Sequence, residues 1–308
     1  MDKYKEIINL ISKYTLLSML SEEPKNVIEA FKAHVKEIRI KVTHNLLHRL
    51  IYMLTLNKVI VNAYPFIKAL ADTSIVDNMK VLKIINVIEK CVLNYTKHLY
   101  ERLKWLEENG QKFSILLLKN PIIPYDITRD IDIYMSEEDH EAENIIEEIN
   151  SHAKIIFDVY SKYKLAKEIK YADRLIEKSS IIDTVKILNV EDLSYVKFKI
   201  LCTSRTVNAY IYIDNMIRNR FITLYDIAFI IKNYTLLRGS PFIHRLRNLL
   251  FIKNFNAYPS IMLHKYNIKE NPFNALKYVA AFLVKVNLYK CLPVYGDLTS
   301  YLLKFYEF

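Results

Sequence analysis

Glycine occurs only at Gly110, Gly239 and Gly296 in a chain of 308 residues. Glycine reaches left-handed backbone conformations without steric cost, so a chain nearly devoid of it has few cheap tight turns and no glycine-rich loop. Long helices joined by a few turns meet that restriction, whereas a sheet-rich fold of many tight hairpins does not. The composition belongs to a packed protein, with 52% hydrophobic and 25% charged residues. The length suffices for roughly two domains of ordinary size, each with its own core.

Cys91, Cys202 and Cys291 are odd in number, far apart and in no CxxC arrangement. They read as small buried apolar residues of a reducing compartment, not as a disulfide framework or a zinc site. The N-terminal stretch MDKYKEIINLISKY interrupts its apolar residues with charges, unlike a signal peptide. The longest apolar stretch, from about Ala275 to Val294, contains Lys277, Lys285 and Lys290, too many charges for a membrane span. A soluble, cytoplasmic protein with no membrane partner is expected.

The net charge of +10 is unevenly spread. Between Asp126 and Asp192 there are 17 acids against 9 bases, whereas residues 193–308 carry 16 bases against 5 acids. Residues 1–125 are also basic, with 19 bases and 12 acids. An acidic middle between basic arms suits cations at the centre and an anionic partner at the C-terminal part; solvated surface is the plain alternative.

Residues 1–110 form an N-terminal helical region by their spacing. Apolar residues recur three and four apart in Ile7, Ile8, Leu10, Ile11 and in Val27, Ile28, Phe31, Val35, Ile38, and Pro24 soon after Ser21 marks a helix start. A long helix is predicted from just after Asp77 to Asn109-Gly110, a pair suited to a left-handed C-cap. Its buried stripe comprises Val81, Ile84, Ile85, Ile88, Val92, Leu99 and Leu103.

Residues 111–190 change period. Phe113 to Lys119 is a short apolar run with the character of a strand covered on both faces, followed by a loop at Pro121 and Pro124. Asp130-Ile-Asp-Ile-Tyr-Met135 alternates, acids and Tyr134 on one face, Ile131, Ile133 and Met135 on the other. Ser136 with Asp139 signals a helix start, that helix running to about Asn150, and Ala153 to Val159 reads as a further strand. Another helix is expected near Leu165 to Lys178, and a short apolar segment at Val185 to Leu188 closes the region. From Glu191 helical spacing returns, giving residues 191–308 as a C-terminal helical region with helix starts at Ser240-Pro241 and Asn271-Pro272. The fold class is α+β: mostly helical, with a small mixed sheet between two helical regions.

Residues two apart on a strand point to the same side, so Asp130 and Asp132 project together, placed to share a hard divalent cation. Asp158 on the next strand adds a third acid. Ile155, Ile156, Phe157 and Val159 flank it, and an unpaired carboxylate there is costly unless a cation or a salt bridge relieves it. The plain alternative for an Asp-x-Asp is the wet face of an edge strand.

The stretch SILLLKNPIIPYDITRDIDIYM resembles the core of the uncharacterised nucleotidyltransferases of the polymerase-β-like superfamily, in which an LLKG-type run precedes a loop, an arginine and an Asp-Ile-Asp strand. Leu117, Leu118 and Lys119 match the run, Arg129 the arginine and Asp130-Ile131-Asp132 the metal-binding pair. IIFDVYSKY is similar to the later strand that supplies the third acid, at Asp158. The segment LYDIAFII in the C-terminal part also resembles the family. The resemblance implies a nucleotidyltransferase-type sheet, with Asp130, Asp132 and Asp158 as catalytic and metal-binding residues for Mg²⁺ (or Mn²⁺). It also implies Lys119, Asn120 and Arg129 at the nucleotide, a nucleoside triphosphate as substrate, and RNA or a protein as the acceptor of the nucleotidyl group. Two departures stand out. Asn120 replaces the family's glycine and no Gly-Ser pair is present, so backbone N–H groups have no glycine-lined approach to phosphate. The interval from the acid pair to Asp158 is also shorter than the family's usual one.

His44 and His48, four apart on a helix, have metal-ligand spacing but neither an intervening Glu nor an evident third ligand, and read as surface histidines. Glu137, Glu138 and Asp139 sit at a helix start, where acids complement the dipole. Arg218, Arg220, Arg238, Arg245, Arg247 and Lys253, interleaved with Tyr and Phe, could grip a triphosphate or an RNA backbone; a solvated basic helix face is the plain alternative. On those grounds a second function class stands beside the enzyme: a catalytically inactive module of the same fold that binds RNA or a protein through its basic C-terminal helices.

Overall fold

A computed structural model describes residues 3–38, 41–73, 75–76, 79–118, 130–135, 140–161, 164, 181–204, 224–225 and 228–229. Over these residues the protein is α+β and mostly helical, with a mixed five-stranded sheet. The helices expected at Leu165 to Lys178, at Ser240-Pro241 and at Asn271-Pro272 lie outside them, as do Pro121, Pro124, Ser136 and Asp139.

The N-terminal region folds as α1 (Lys3–Leu20), α2 (Pro24–Ile38), α3 (His44–Leu56) and α4 (Ile60–Thr73), with a two-stranded parallel ribbon of β1 (Lys41–Val42) and β2 (Ile75–Val76). Pro24 opens α2, and Ser21 Oγ accepts from the Glu23 N–H at 3.0 Å, as the sequence signals there predict. Val27, Ile28, Phe31 and Val35 bury one stripe of α2, and the Phe31 ring meets Tyr14 and Phe66 edge-on, each at 5.2 Å. Thr43 caps α3, its Oγ1 accepting from the Leu46 N–H at 3.2 Å.

Helix α5 (Met79–Asn109) has 31 residues. Of its predicted stripe, Val81, Ile85, Ile88, Val92, Leu99 and Leu103 are buried and Ile84 is half-buried. The helix does end at Asn109-Gly110, but not through a left-handed residue: the φ of Gly110 lies outside that region. Its N–H still donates to Leu106 O at 2.8 Å, as in a continuing helix, and a Cβ there would come within 2.5 Å of that same oxygen. Close approach, not backbone handedness, is what requires glycine here.

The sheet has the order β5-β4-β3-β7-β6, with β3 (Leu116–Leu117), β4 (Asp130–Tyr134), β5 (Ile156–Tyr160), β6 (Ile181–Asn189) and β7 (Ser194–Cys202). β3 is short and buried at its centre, antiparallel to β4 and parallel to β7. β4 and β5 are parallel and joined across α6 (His140–His152). Helix α5 packs on one face of the sheet, where Trp105 meets Phe157 at 5.3 Å and Tyr100 meets Phe198 at 6.0 Å. A single hydrophobic core runs from α1 through α5 to the sheet and takes in Leu224, Tyr225, Ala228 and Phe229 of the LYDIAFII segment. The Leu224 and Tyr225 amides donate to Asn57 at the α3–α4 junction.

A second expectation is overturned. Helical spacing does not resume at Glu191: Ser194–Cys202 is a strand that pairs in the middle of the sheet and continues it past residue 190. The segment at Val185 to Leu188 belongs to its nine-residue hairpin partner, β6. The turn between them uses no glycine. Leu193 takes the left-handed position at φ 58°, and Asn189 and Asp192 accept from the Glu191 and Ser194 amides at 3.0 and 2.9 Å.

Candidate metal centre

Alternation along β4 places Ile131 and Ile133 in the core and leaves Asp130 exposed, with Asp132 and Tyr134 half-buried on the other face. On β5, Phe157 points into the core, which sends Asp158 to the acid face. Parallel pairing then fixes the geometry. Asp132 stands directly opposite Asp158, Asp130 opposite Ile156, and Tyr134 opposite Tyr160. The three acids meet: one carboxylate oxygen from each lies within 4.8 Å of the others. Among the described residues this is the one cluster of three or more acids, histidines or cysteines with such spacing.

β5 is the sheet's outer strand on this side, and α6 holds it in place. Asn150, in the last turn of α6, donates through Nδ2 to Phe157 O at 2.9 Å and accepts the Phe157 N–H on Oδ1 at 2.7 Å. Both backbone groups of Phe157 are thereby satisfied from outside the sheet, which fixes the strand that carries Asp158.

The donor set fits a hard divalent ion. All three ligands are carboxylates, the oxygen donors that Mg²⁺ and Mn²⁺ prefer over thiolate or imidazole. With metal–oxygen distances of about 2.1 Å, oxygens on one octahedral ion sit about 3–4 Å apart, so small side-chain adjustments within the observed spread suffice. Like charges directly opposite on neighbouring strands destabilise a sheet, so the arrangement calls for a positive charge.

One such charge is present. Lys164 Nζ donates to Asp158 Oδ1 at 2.6 Å, with side-chain exposures of 38% for the lysine and 34% for the aspartate. Nothing in the sequence marks Lys164. Lys162, Lys164 and Lys167 all follow β5 closely, and no periodic signal distinguishes Lys164 among them.

Lys119, Asn120 and Arg129, expected at the nucleotide, lie outside the described residues, as do the basic residues from Arg218 to Lys253. His44 and His48 form a surface pair on α3 with Nε2 atoms 3.1 Å apart; burial and then the neighbouring His44 hold the His48 pKa below its ordinary value. Cys91 and Cys202 are buried and form no disulfide with each other, and burial pushes both thiols up, as expected of small core residues. Among the described residues no helix is long and apolar enough to cross a membrane. Compared with family models, curated proteins and solved structures, the chain matches none.

Proposed function

We propose that the protein is a metal-dependent nucleotidyltransferase that moves a nucleotidyl group from a nucleoside triphosphate to an acceptor hydroxyl on RNA or protein. The observation that carries this reading is the convergence of Asp130, Asp132 and Asp158 from two parallel strands onto one face. The resemblance of SILLLKNPIIPYDITRDIDIYM to the polymerase-β-like nucleotidyltransferases gives that trio its chemistry.

Asp130 and Asp132 would hold the metal from β4, and Asp158 would complete its coordination from β5. When bound, a divalent ion at such a site orients a triphosphate, lowers the pKa of an attacking hydroxyl and stabilises charge on the leaving pyrophosphate. The chain's own part is positional. A short, core-anchored β4 and a β5 clamped by Asn150 keep the carboxylates from reorganising during the reaction. Asp158 would also assist deprotonation of the acceptor hydroxyl. Lys119, Asn120 and Arg129 are proposed as phosphate contacts in place of a glycine-lined cradle.

One observation favours the rival reading, an inactive module that binds RNA or a protein partner: Asp158 already has a cation in Lys164. That pair is about one-third exposed on each side, and exposed pairs contribute only about 0–1 kcal/mol, so a divalent ion readily outcompetes it.

The test is incubation of the full chain with α-labelled nucleoside triphosphates and Mg²⁺ or Mn²⁺, followed by a search for label on RNA and on protein. Labelling is expected from the wild type and background from Asp132→Ala and Asp158→Ala. Equal labelling by the wild type and Asp132→Ala would remove the site. Absence of turnover together with salt-sensitive RNA binding would establish the rival.

A further inference from the structure

Lys164 has more contacts than a surface salt bridge needs. Its backbone is pinned, the Lys164 N–H donating to Ser161 Oγ at 3.1 Å. Its Nζ donates to Asp158 Oδ1 at 2.6 Å, approaches Val159 O at 3.4 Å and lies 4.1 Å from the centre of the Tyr160 ring. A carboxylate, a backbone carbonyl and an aromatic face thus surround one ammonium, and each attracts a cation. Tyr160 is buried, so the ring is a fixed wall and not a chance neighbour.

The position of this ammonium matters as much as its contacts. It sits on the carboxylate directly opposite Asp132 in the register, the place where a divalent ion would need a third ligand. Lysine and ion therefore compete for Asp158. Losing the competition does not release the lysine to solvent. The Ser161 anchor and the Tyr160 ring hold it at the edge of the carboxylate cluster, where it becomes a free donor next to whatever anion the ion brings.

We propose that Lys164 is the resident cation of the site: it occupies Asp158 while no divalent ion is bound, yields that carboxylate to the ion, and then contacts the phosphate of a metal-chelated polyphosphate. This rests on the metal-site reading above and adds to it a positioning residue with two opposed effects. It weakens the bare ion and strengthens the ion-dependent anion. A lysine that merely braced β5 would do neither.

The experiment measures two affinities in the full chain, with folding checked by circular dichroism: that for Mn²⁺ alone, and that for inorganic tripolyphosphate in the presence of Mn²⁺. Lys164→Met is expected to bind Mn²⁺ about two- to fivefold more tightly than the wild type, since an exposed ion pair of this kind opposes the ion by at most about that factor. The same variant is expected to bind tripolyphosphate with Mn²⁺ about five- to tenfold more weakly, having lost a charge-assisted donor. Lys164→Arg, which keeps the charge, is expected to stay near the wild type in both. Any other pair of signs for Lys164→Met overturns the proposal. If wild type and Lys164→Met bind Mn²⁺ no better than Asp130→Asn/Asp132→Asn, the metal site itself fails. If the wild type binds and Lys164→Met binds equally, only the role of Lys164 fails.

Discussion

Asn150 is the residue through which the scaffold is expected to control the site, and Asn150→Ala measures that control. The substitution deletes two hydrogen bonds to Phe157, of 2.9 and 2.7 Å, both at a part-buried position. Each such bond is worth about 0.5–1.5 kcal/mol net, so the pair bounds the loss at about 1–3 kcal/mol. β5 is an outer strand, so the freed Phe157 groups can take water in exchange, and the expected loss falls in the lower part, about 1–2 kcal/mol. For a chain of this size that is a fall of about 1.5–3 °C in Tm. Two assays read it: thermal unfolding for the global effect, and amide hydrogen exchange for the local one, with Phe157 losing protection before the centre of β4 does. Mn²⁺ affinity should fall with it, because Asp158 alone of the three acids rides on the loosened strand. Ser151→Ala is the control; its Oγ caps only an exposed Glu148 carbonyl. An Asn150→Ala protein that melts within 1 °C of the wild type, with unchanged exchange at Phe157, would refute the clamp.

Three further substitutions test the scaffold. Gly110→Ala places a methyl 2.5 Å from Leu106 O and should destabilise by about 1–3 kcal/mol, read as a lower denaturant midpoint at unchanged slope. Asn62→Leu should stabilise by about 1–2 kcal/mol, because Asn62 is fully buried and neither amide atom has a partner; a lower Tm would show that a ligand or water satisfies it. Glu89→Gln addresses pH. A hydrogen bond from Lys68 at 2.6 Å holds the Glu89 carboxyl below its ordinary value of 4.5. A lowered folded pKa means stability that is present above pH 4.5 and lost as pH falls through the folded value. The wild type should exceed Glu89→Gln by up to about 1 kcal/mol at pH 7, with the gap closing in acid, since the lysine is half exposed.

The parts of the fold that the sequence disclosed are those with uninterrupted periodicity. The α5 stripe repeats over some eight turns, and β4 alternates acid and isoleucine without a break, so both were readable residue by residue. β7 was not, although Lys197 and Lys199 alternate with Phe198, Ile200 and Cys202. The turn before it contains no glycine, and scarcity of glycine had argued against hairpins. Lys58, Ser114 and Leu193 supply the left-handed positions instead, at a strain of about 1–2 kcal/mol each that the packed core absorbs. At Gly110 the Asn-Gly pair suggested a left-handed cap, whereas the residue is needed for its missing Cβ and not for its handedness. Lys164 was invisible for a different reason: a long side chain returning across six residues leaves no periodic trace.

Register is the link between that scaffold and the proposed chemistry. A slip of one residue between β4 and β5 would send Asp158 into the core beside Trp105 and bring Phe157 out to Asp132, so the hydrophobic faces of both strands enforce the pairing. The burial of Ile131, Ile133 and Phe157 therefore sets the acids face to face, against their mutual repulsion. A sheet that needed only a wet face at this position could carry Thr, Lys or Asn opposite Asp132 at no electrostatic cost. A third carboxylate there adds repulsion that Lys164 relieves at Asp158, and on the proposed reading a bound divalent ion would relieve it further.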